Sequence, residues 1–255
     1  MKLLKILSVF LFLVSLQIAT AQWINVPPPV EARMNAVFAG GGVPVAVAAC
    51  ADSSCTGFLV CQNFETSTTS NDVTLDNSET WVIDAGTPVT NSQTTPLRGT
   101  QSLAMDASDT IYFDIGSQTE VYFFFRFRTA TASWPNVKDI LKFWDSGGAS
   151  IGRVAVADNE KFVVLFGGAT ESSATVFSPD TVYYVWGHFK NGTGNAEMHL
   201  YISTTRTKDE AEITVINLTQ TTAMRYLTVA SPLAGLSYIV DQVLVKTTDI
   251  GDVCE

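Results

Sequence analysis

The chain has 255 residues, with 15 Lys and Arg against 25 Asp and Glu, a formal net charge of −10. That balance argues against a polyanionic nucleic-acid backbone as partner, because such binding rests on clustered cations. It suits a solvated, exported surface and carries no information about fold.

In chain order, Lys2 and Lys5 form a short basic start, and residues 3–18 are apolar apart from Lys5, Ser8, Ser15 and Gln17. Ala19-Thr20-Ala21 then supplies the small residues a signal peptidase reads. Residues 1–21 are expected to be a cleavable signal peptide, so that the protein is secreted, displayed at a cell surface or held in a periplasm. The competing reading is a membrane anchor, since an uncleaved helix of roughly 17–20 residues can just span. The short apolar core and the adjoining cleavage site favour removal. Cleavage leaves 13 cations against 25 acids, a net charge of −12, and no later run is long and apolar enough to cross a bilayer.

Residues 22–60 contain Pro27-Pro28-Pro29 and Gly40-Gly41-Gly42 without clean periodicity and read as a linker or arm. Val43, Val45 and Val47 leave open an edge strand or a contact with another protein. Cys50, Cys55, Cys61 and Cys254 make an even set, which in an oxidising compartment reads as disulfides with three available connectivities. Cys50–Cys55 with Cys61–Cys254 is the preferred pairing, local in the arm and clamping the ends of the domain. A zinc site is the rival, but no His lies near these cysteines.

From Cys61 to residue 255 the pattern is β, with eleven runs rich in Val, Ile, Phe, Tyr and Thr. They fall at 80–84, 102–105, 110–115, 120–129, 140–145, 152–157, 161–166, 182–189, 196–203, 212–217 and 238–246. Their number and the lack of a repeat fit one sandwich. In the run from Val121, the residues Val121, Phe123, Phe125 and Phe127 share one face, while Tyr122, Phe124, Arg126 and Arg128 share the other. Met198, Leu200 and Ile202 likewise oppose Glu197, His199 and Tyr201; Tyr183, Val185 and Phe189 oppose Tyr184, Trp186, His188 and Lys190. The purely apolar faces are expected to form the core. The mixed faces remain for function.

This layout resembles the concanavalin A-like lectin/glucanase superfamily, including its laminin-G-like members. The resemblance is carried by Asn63-Phe64-Glu65, Pro96-Leu97-Arg98-Gly99-Thr100-Gln101-Ser102-Leu103, the Phe-rich strand from Tyr122 to Arg128, the run from Tyr183 to Asn195, and Tyr238-Ile239-Val240-Asp241-Gln242-Val243-Leu244-Val245. It implies an all-β jelly-roll β-sandwich of two antiparallel sheets, preceded by the signal peptide and a flexible arm. The superfamily holds lectins, carbohydrate-binding modules, glycosidases and polysaccharide lyases, so the fold does not choose among them.

The Glu-x-Asp-x-x-Glu triplet of its retaining glycosidases is absent, and Asp209-Glu210-Ala211-Glu212 reads as a solvated turn. A lyase needs a cation to neutralise a uronate, a His or Tyr to take the proton and a Tyr to return one. Arg126, His188, His199 and Tyr201 are the right types, although the alginate-lyase strings of the superfamily are missing. Sugar binding without catalysis needs a flat aromatic with polar neighbours. Tyr122, Arg126, Trp134, Trp186, His188, His199 and Tyr201 are the candidates, with Trp134 expected in an exposed loop. The resemblance also suggests a structural calcium held in part by Glu65 and Asp241, supplemented by carbonyls and waters. Asn191-Gly192-Thr193 and Asn217-Leu218-Thr219 are glycosylation sequons in a eukaryotic host. The expected function is binding of an extracellular polysaccharide or glycan without catalysis. A lyase on the same fold is the first alternative, and a surface assembly protein using its arm on a partner's sheet edge the second.

Overall fold

The computed structural model describes residues 56–62, 64, 82–85, 90–92, 96–99, 102–105, 110–130, 134, 136–230 and 238–253. The signal segment, nearly all of the arm, Glu65 and three of the four cysteines lie outside the described residues. The described chain forms β1 (Val60–Gln62), β2 (Val82–Ala85), β3 (Thr90–Ser92), β4 (Ser102–Met105), β5 (Thr110–Gln118), β6 (Glu120–Thr129), β7 (Lys138–Trp144) and β8 (Ser150–Val156). It continues as β9 (Lys161–Phe166), β10 (Ala169–Val176), β11 (Tyr183–Lys190), β12 (Gly192–Ser203), β13 (Ile213–Gln220), β14 (Met224–Ala230) and β15 (Tyr238–Lys246). Among the described residues no helix is long and apolar enough to cross a membrane.

One sheet has the order β13-β12-β11-β6-β15-β4-β3, with β1 beside β15; the second has the order β10-β9-β8-β7-β14-β5-β2. All pairings are antiparallel. Period-two alternation decides which side chains lie between the sheets. Val121, Phe123, Phe125 and Phe127 of β6 are fully buried there with Val185, Phe189, Met198 and Leu200, and they meet Phe143, Val154, Phe162, Val164 and Leu227 of the second sheet. Each of these large side chains contributes roughly 1.5–3 kcal/mol on leaving water.

The mixed face of the first sheet is not bare. Phe124, Trp186, Tyr201 and Leu244 form a second apolar cluster with Phe58, Cys61, Ile250 and Val253, so the two ends of the domain lie over the middle of that face. Phe58 and Leu59 already belong to the domain: Phe58 joins this cluster, and the Leu59 amide donates to the Val245 carbonyl at 2.8 Å. Cys61 is disulfide-bonded, and its partner lies outside the described residues.

Trp134 is corrected by the structure. It is 0% exposed, packed at 6.0–6.4 Å from the rings of Phe127, Phe177 and Tyr238. A residue outside a strand is not thereby at the surface; here the indole belongs to the core between the sheets.

Candidate functional site

Register turns the outer face of the first sheet into four cross-strand rows. Lys190 of β11 stands between Glu120 of β6 and Glu197 of β12; His188 stands between Tyr122 and His199. Trp186 stands between Phe124 and Tyr201, and Tyr184 between Arg126 and Ser203. The first row is polar and partly exposed; in the second the two imidazoles are buried beside a half-buried Tyr122; the third is the capped apolar cluster.

The second row is a ladder of rings. Tyr122 stacks on His188 at 4.1 Å and His188 on His199 at 5.3 Å, with planes inclined by 11° and 13°. Thr214, next along the row on β13, lies with its hydroxyl 3.3 Å from His199 Nδ1. The first row supplies the charges. Glu120 Oε1 accepts from His188 Nε2 at 2.9 Å and from the Tyr122 hydroxyl at 3.1 Å. Glu197 accepts from Lys190 Nζ at 3.0 Å and lies 3.5 Å from His199 Nε2. His188 Nδ1 is buried and finds no hydrogen-bond partner.

Burial lowers the proton affinity of both imidazoles, overriding the nearby carboxylates that act to raise it; for His199 the neighbouring His188 adds to the lowering. Burial, with Glu120 beside it, pushes the Tyr122 hydroxyl well above its ordinary range, and burial does the same to Tyr201. Partial burial acts to raise the Glu197 carboxyl, but the Lys190 hydrogen bond and charge outweigh it and hold it low.

The residues expected as one site are thus divided. His188, His199 and Tyr122 come together with Glu120, Glu197 and Lys190. Tyr201 lies one row away, 5% exposed beneath Lys208, whose Nζ sits 4.2 Å from its ring centroid. Arg126 is two rows from the His ladder, about 13 Å at roughly 3.3 Å per residue. Its Nε donates to Gln242 Oε1 at 2.7 Å and its guanidinium lies over Tyr184. It therefore does not converge with the His pair on one uronate as the lyase alternative requires. Trp186, 1% exposed, and Trp134 offer no open ring face; the demand for apolar packing at the chain ends has taken the first and the core the second. Of the calcium pair, Glu65 lies outside the described residues. Asp241 is fully buried, accepting from the Ser102 hydroxyl at 2.8 Å and from the Gln242 amide at 2.7 Å. Of the sequons, Asn217 is exposed, whereas the Asn191 side-chain amide donates to the Thr222 carbonyl at 2.7 Å.

The outer face of the second sheet carries a feature that alternation alone did not single out. Tyr226 of β14 is the register partner of Trp144 on β7, and Tyr112 of β5 meets Tyr226 edge-on at 6.0 Å. All three rings are half-buried. Trp144 Nε1 donates to Thr228 Oγ1 at 2.9 Å, which holds the indole against the sheet. Cations border the row: Lys142 Nζ lies 4.4 Å from the Trp144 ring and the Arg225 guanidinium 5.3 Å from that of Tyr226. Arg225 also pairs with Asp114 at 3.0 Å, while Lys142 and Arg153 share Asp139. The signal in the sequence was the alternation Lys142-Phe143-Trp144, with Phe143 inward and its neighbours outward.

No family model matches the chain, and no curated protein sequence matches it. Solved structures do. The receptor-binding domain of botulinum neurotoxin type G superposes with a TM-score of 0.55 at 9% identity, over 77% of this chain and 49% of that one. The serotype D ligand-binding domain in complex with N-acetylneuraminic acid gives 0.57 at 10%, over 76% and 48%. The cellulose-induced protein Cip1 gives 0.55 at 13%, over 77% of this chain and 100% of that one. The chain spans about half the length of the neurotoxin domains and all of Cip1. At these identities the likeness shows the fold alone: an all-β jelly-roll sandwich of two antiparallel sheets, the architecture that the sequence resemblance implied.

Proposed function

We propose that this is an exported glycan-binding module, with the aromatic row Tyr112, Tyr226 and Trp144 as its sugar platform. That row is the observation that carries the reading. Half-buried rings fixed on a sheet present flat apolar surface at little entropic cost, and the bordering Lys142, Arg153 and Arg225 supply donors for sugar hydroxyls or carboxylates. Lys142, paired with Asp139, and Arg225, paired with Asp114, lie over two of these rings, so a stacking sugar displaces them. Support also comes from the company of the fold, since one of the similar domains was solved with N-acetylneuraminic acid.

A glycan array on the secreted protein tests this. Bound glycans are expected to lose about tenfold or more in affinity in Trp144→Ala or Tyr226→Ala, the scale of one lost stacking contact with its buried area. An absorbance assay for unsaturated uronate is expected to give no product. Binding that is absent, or unchanged in both variants, would remove this platform from consideration.

Export carries a second expectation: removal of residues 1–21 and the pairing Cys61–Cys254 with Cys50–Cys55. It is supported by the bonded state of Cys61 and by the packing of Val253, the residue before Cys254, in the same cluster as Cys61. Mass spectrometry of non-reduced peptides from the secreted protein should recover those two links and an N-terminus at Gln22. A Cys61 peptide joined to Cys50 or Cys55 would refute the pairing.

A further inference from the structure

The geometry points to a binding site for a borderline divalent transition metal, zinc by class, held by His188, His199 and Glu197 on the first sheet. One ligand atom from each of the three lies within 4.8 Å of the other two. The placement follows from two elements of β geometry. His199 and Glu197 are two residues apart on β12 and therefore share a face, and His188 is the direct register partner of His199 on β11. Four-coordinate zinc bonds His nitrogen and carboxylate oxygen at about 2.0–2.2 Å, which sets its ligands roughly 3.3 Å apart. Closing the triad to that spacing asks for a movement of at most about 1.5 Å. Glu197 Oε2 already stands 3.5 Å from His199 Nε2, so the remaining closure lies between His188 and the other two.

The surroundings are those of a ligating pair. Tyr122 stacks on the far side of His188 and fixes its ring, and the Thr214 hydroxyl beside His199 Nδ1 sets that imidazole's orientation, leaving its Nε2 toward Glu197. Lys190 Nζ now balances Glu197 at 3.0 Å, so a metal entering the triad takes over the role of that ammonium. Glu120, against His188 Nε2 and with 38% of its side chain exposed, adds a second carboxylate beside the triad. Two imidazoles with one carboxylate do not suit calcium, which takes six to eight oxygens. Three protein ligands leave the fourth position of a tetrahedral zinc to water or another ligand.

The test uses the full secreted protein without an affinity His tag, stripped with a chelator and dialysed. Zinc titration against a chromophoric chelator should show one tight equivalent, and zinc at about a hundred times its Kd should raise Tm by roughly 5–10 °C. Calcium at the same concentration should leave Tm unmoved. His199→Gln and Glu197→Gln should each weaken zinc at least about tenfold, the lower bound seen even for outer-shell changes. Lys190→Met, which removes the competing ammonium, should bind as tightly or more tightly. Far-UV circular dichroism checks each variant; if His199→Gln fails to fold, Glu197→Gln on the solvent edge still decides. Absence of a stoichiometric equivalent, or equal zinc binding by the wild type and Glu197→Gln, would overturn the site. Neither outcome bears on the aromatic row of the second sheet.

Discussion

Trp186→Ala should destabilise the protein by about 3–5 kcal/mol, lowering Tm by roughly 10 °C, and should leave glycan affinity unchanged where the variant is folded. The indole is 1% exposed and touches Phe124 at 5.0 Å within the cluster of Phe58, Cys61, Tyr201, Ile250 and Val253. Its Nε1 donates to the Gly251 carbonyl at 3.0 Å. Truncation therefore opens a cavity and releases the chain end in one step. Trp186→Phe keeps most of the packing and loses the hydrogen bond, so about 1–2 kcal/mol is expected. Chemical denaturation measures both variants, and hydrogen exchange at residues 249–253 should accelerate in the first. If Trp186→Ala abolished glycan binding with Tm intact, the indole would be a sugar platform and the packing described above would be wrong.

Trp186 marks where legibility in the sequence stops. Alternation places it correctly on the outer face with Tyr184, His188 and Lys190, since period two is a local property of one strand. It cannot say that residues 58–61 and 250–253 cover that face, because the cover is brought by chain ends nearly two hundred residues apart. The first two rows of the site share this limit. Glu197, His199 and Tyr201 were assigned to one side, but the opposition of His188 to His199 depends on the register of the β11–β12 turn.

Strands were legible where pattern and burial agree. The runs at 102–105, 120–129, 161–166 and 238–246 coincide with β4, β6, β9 and β15. β14 escaped because a register shift between Met224 and Tyr226 breaks its alternation: Met224, Leu227 and Val229 are buried, at a spacing of three and then two. β10 escaped because it is a polar edge strand with Ser173 as its buried residue, so it has no apolar stripe to read. β1 and β3 are three residues long, too short for periodicity to register. The aromatic row of the second sheet was missed for the first of these reasons, since Tyr226 lies beside the shift in β14.

Gly187→Ala is expected to be as damaging as a large core truncation, although it adds one methyl group. Gly187 lies directly opposite Phe123 on β6, and a Cβ built there would stand 2.0 Å from Cζ of that ring and 2.4–2.6 Å from its Cε atoms. Ordinary carbon contacts lie at about 3.5–4.0 Å. Phe123 has nowhere to retreat: it is fully buried, with Phe143 at 5.4 Å and Phe189 at 5.1 Å. Phe189 is itself seated over Gly152, where a Cβ would meet its ring at 2.7 Å. Two glycine notches thus hold two phenylalanines, and displacing one ring loads the other. Replacing glycine in a strand by alanine gains about 0.5–1 kcal/mol of backbone entropy. Overpacking costs typically about 1–3 kcal/mol and more where the ring cannot move, so the net sign is destabilising. The double variant Gly187→Ala with Phe123→Leu should recover part of the loss, a coupling of at least about 1 kcal/mol in a double-mutant cycle. Denaturation of the two single variants and the double closes that cycle. A Gly187→Ala protein as stable as wild type would mean that β6 and β11 do not meet in the register that also sets His188 beside Tyr122.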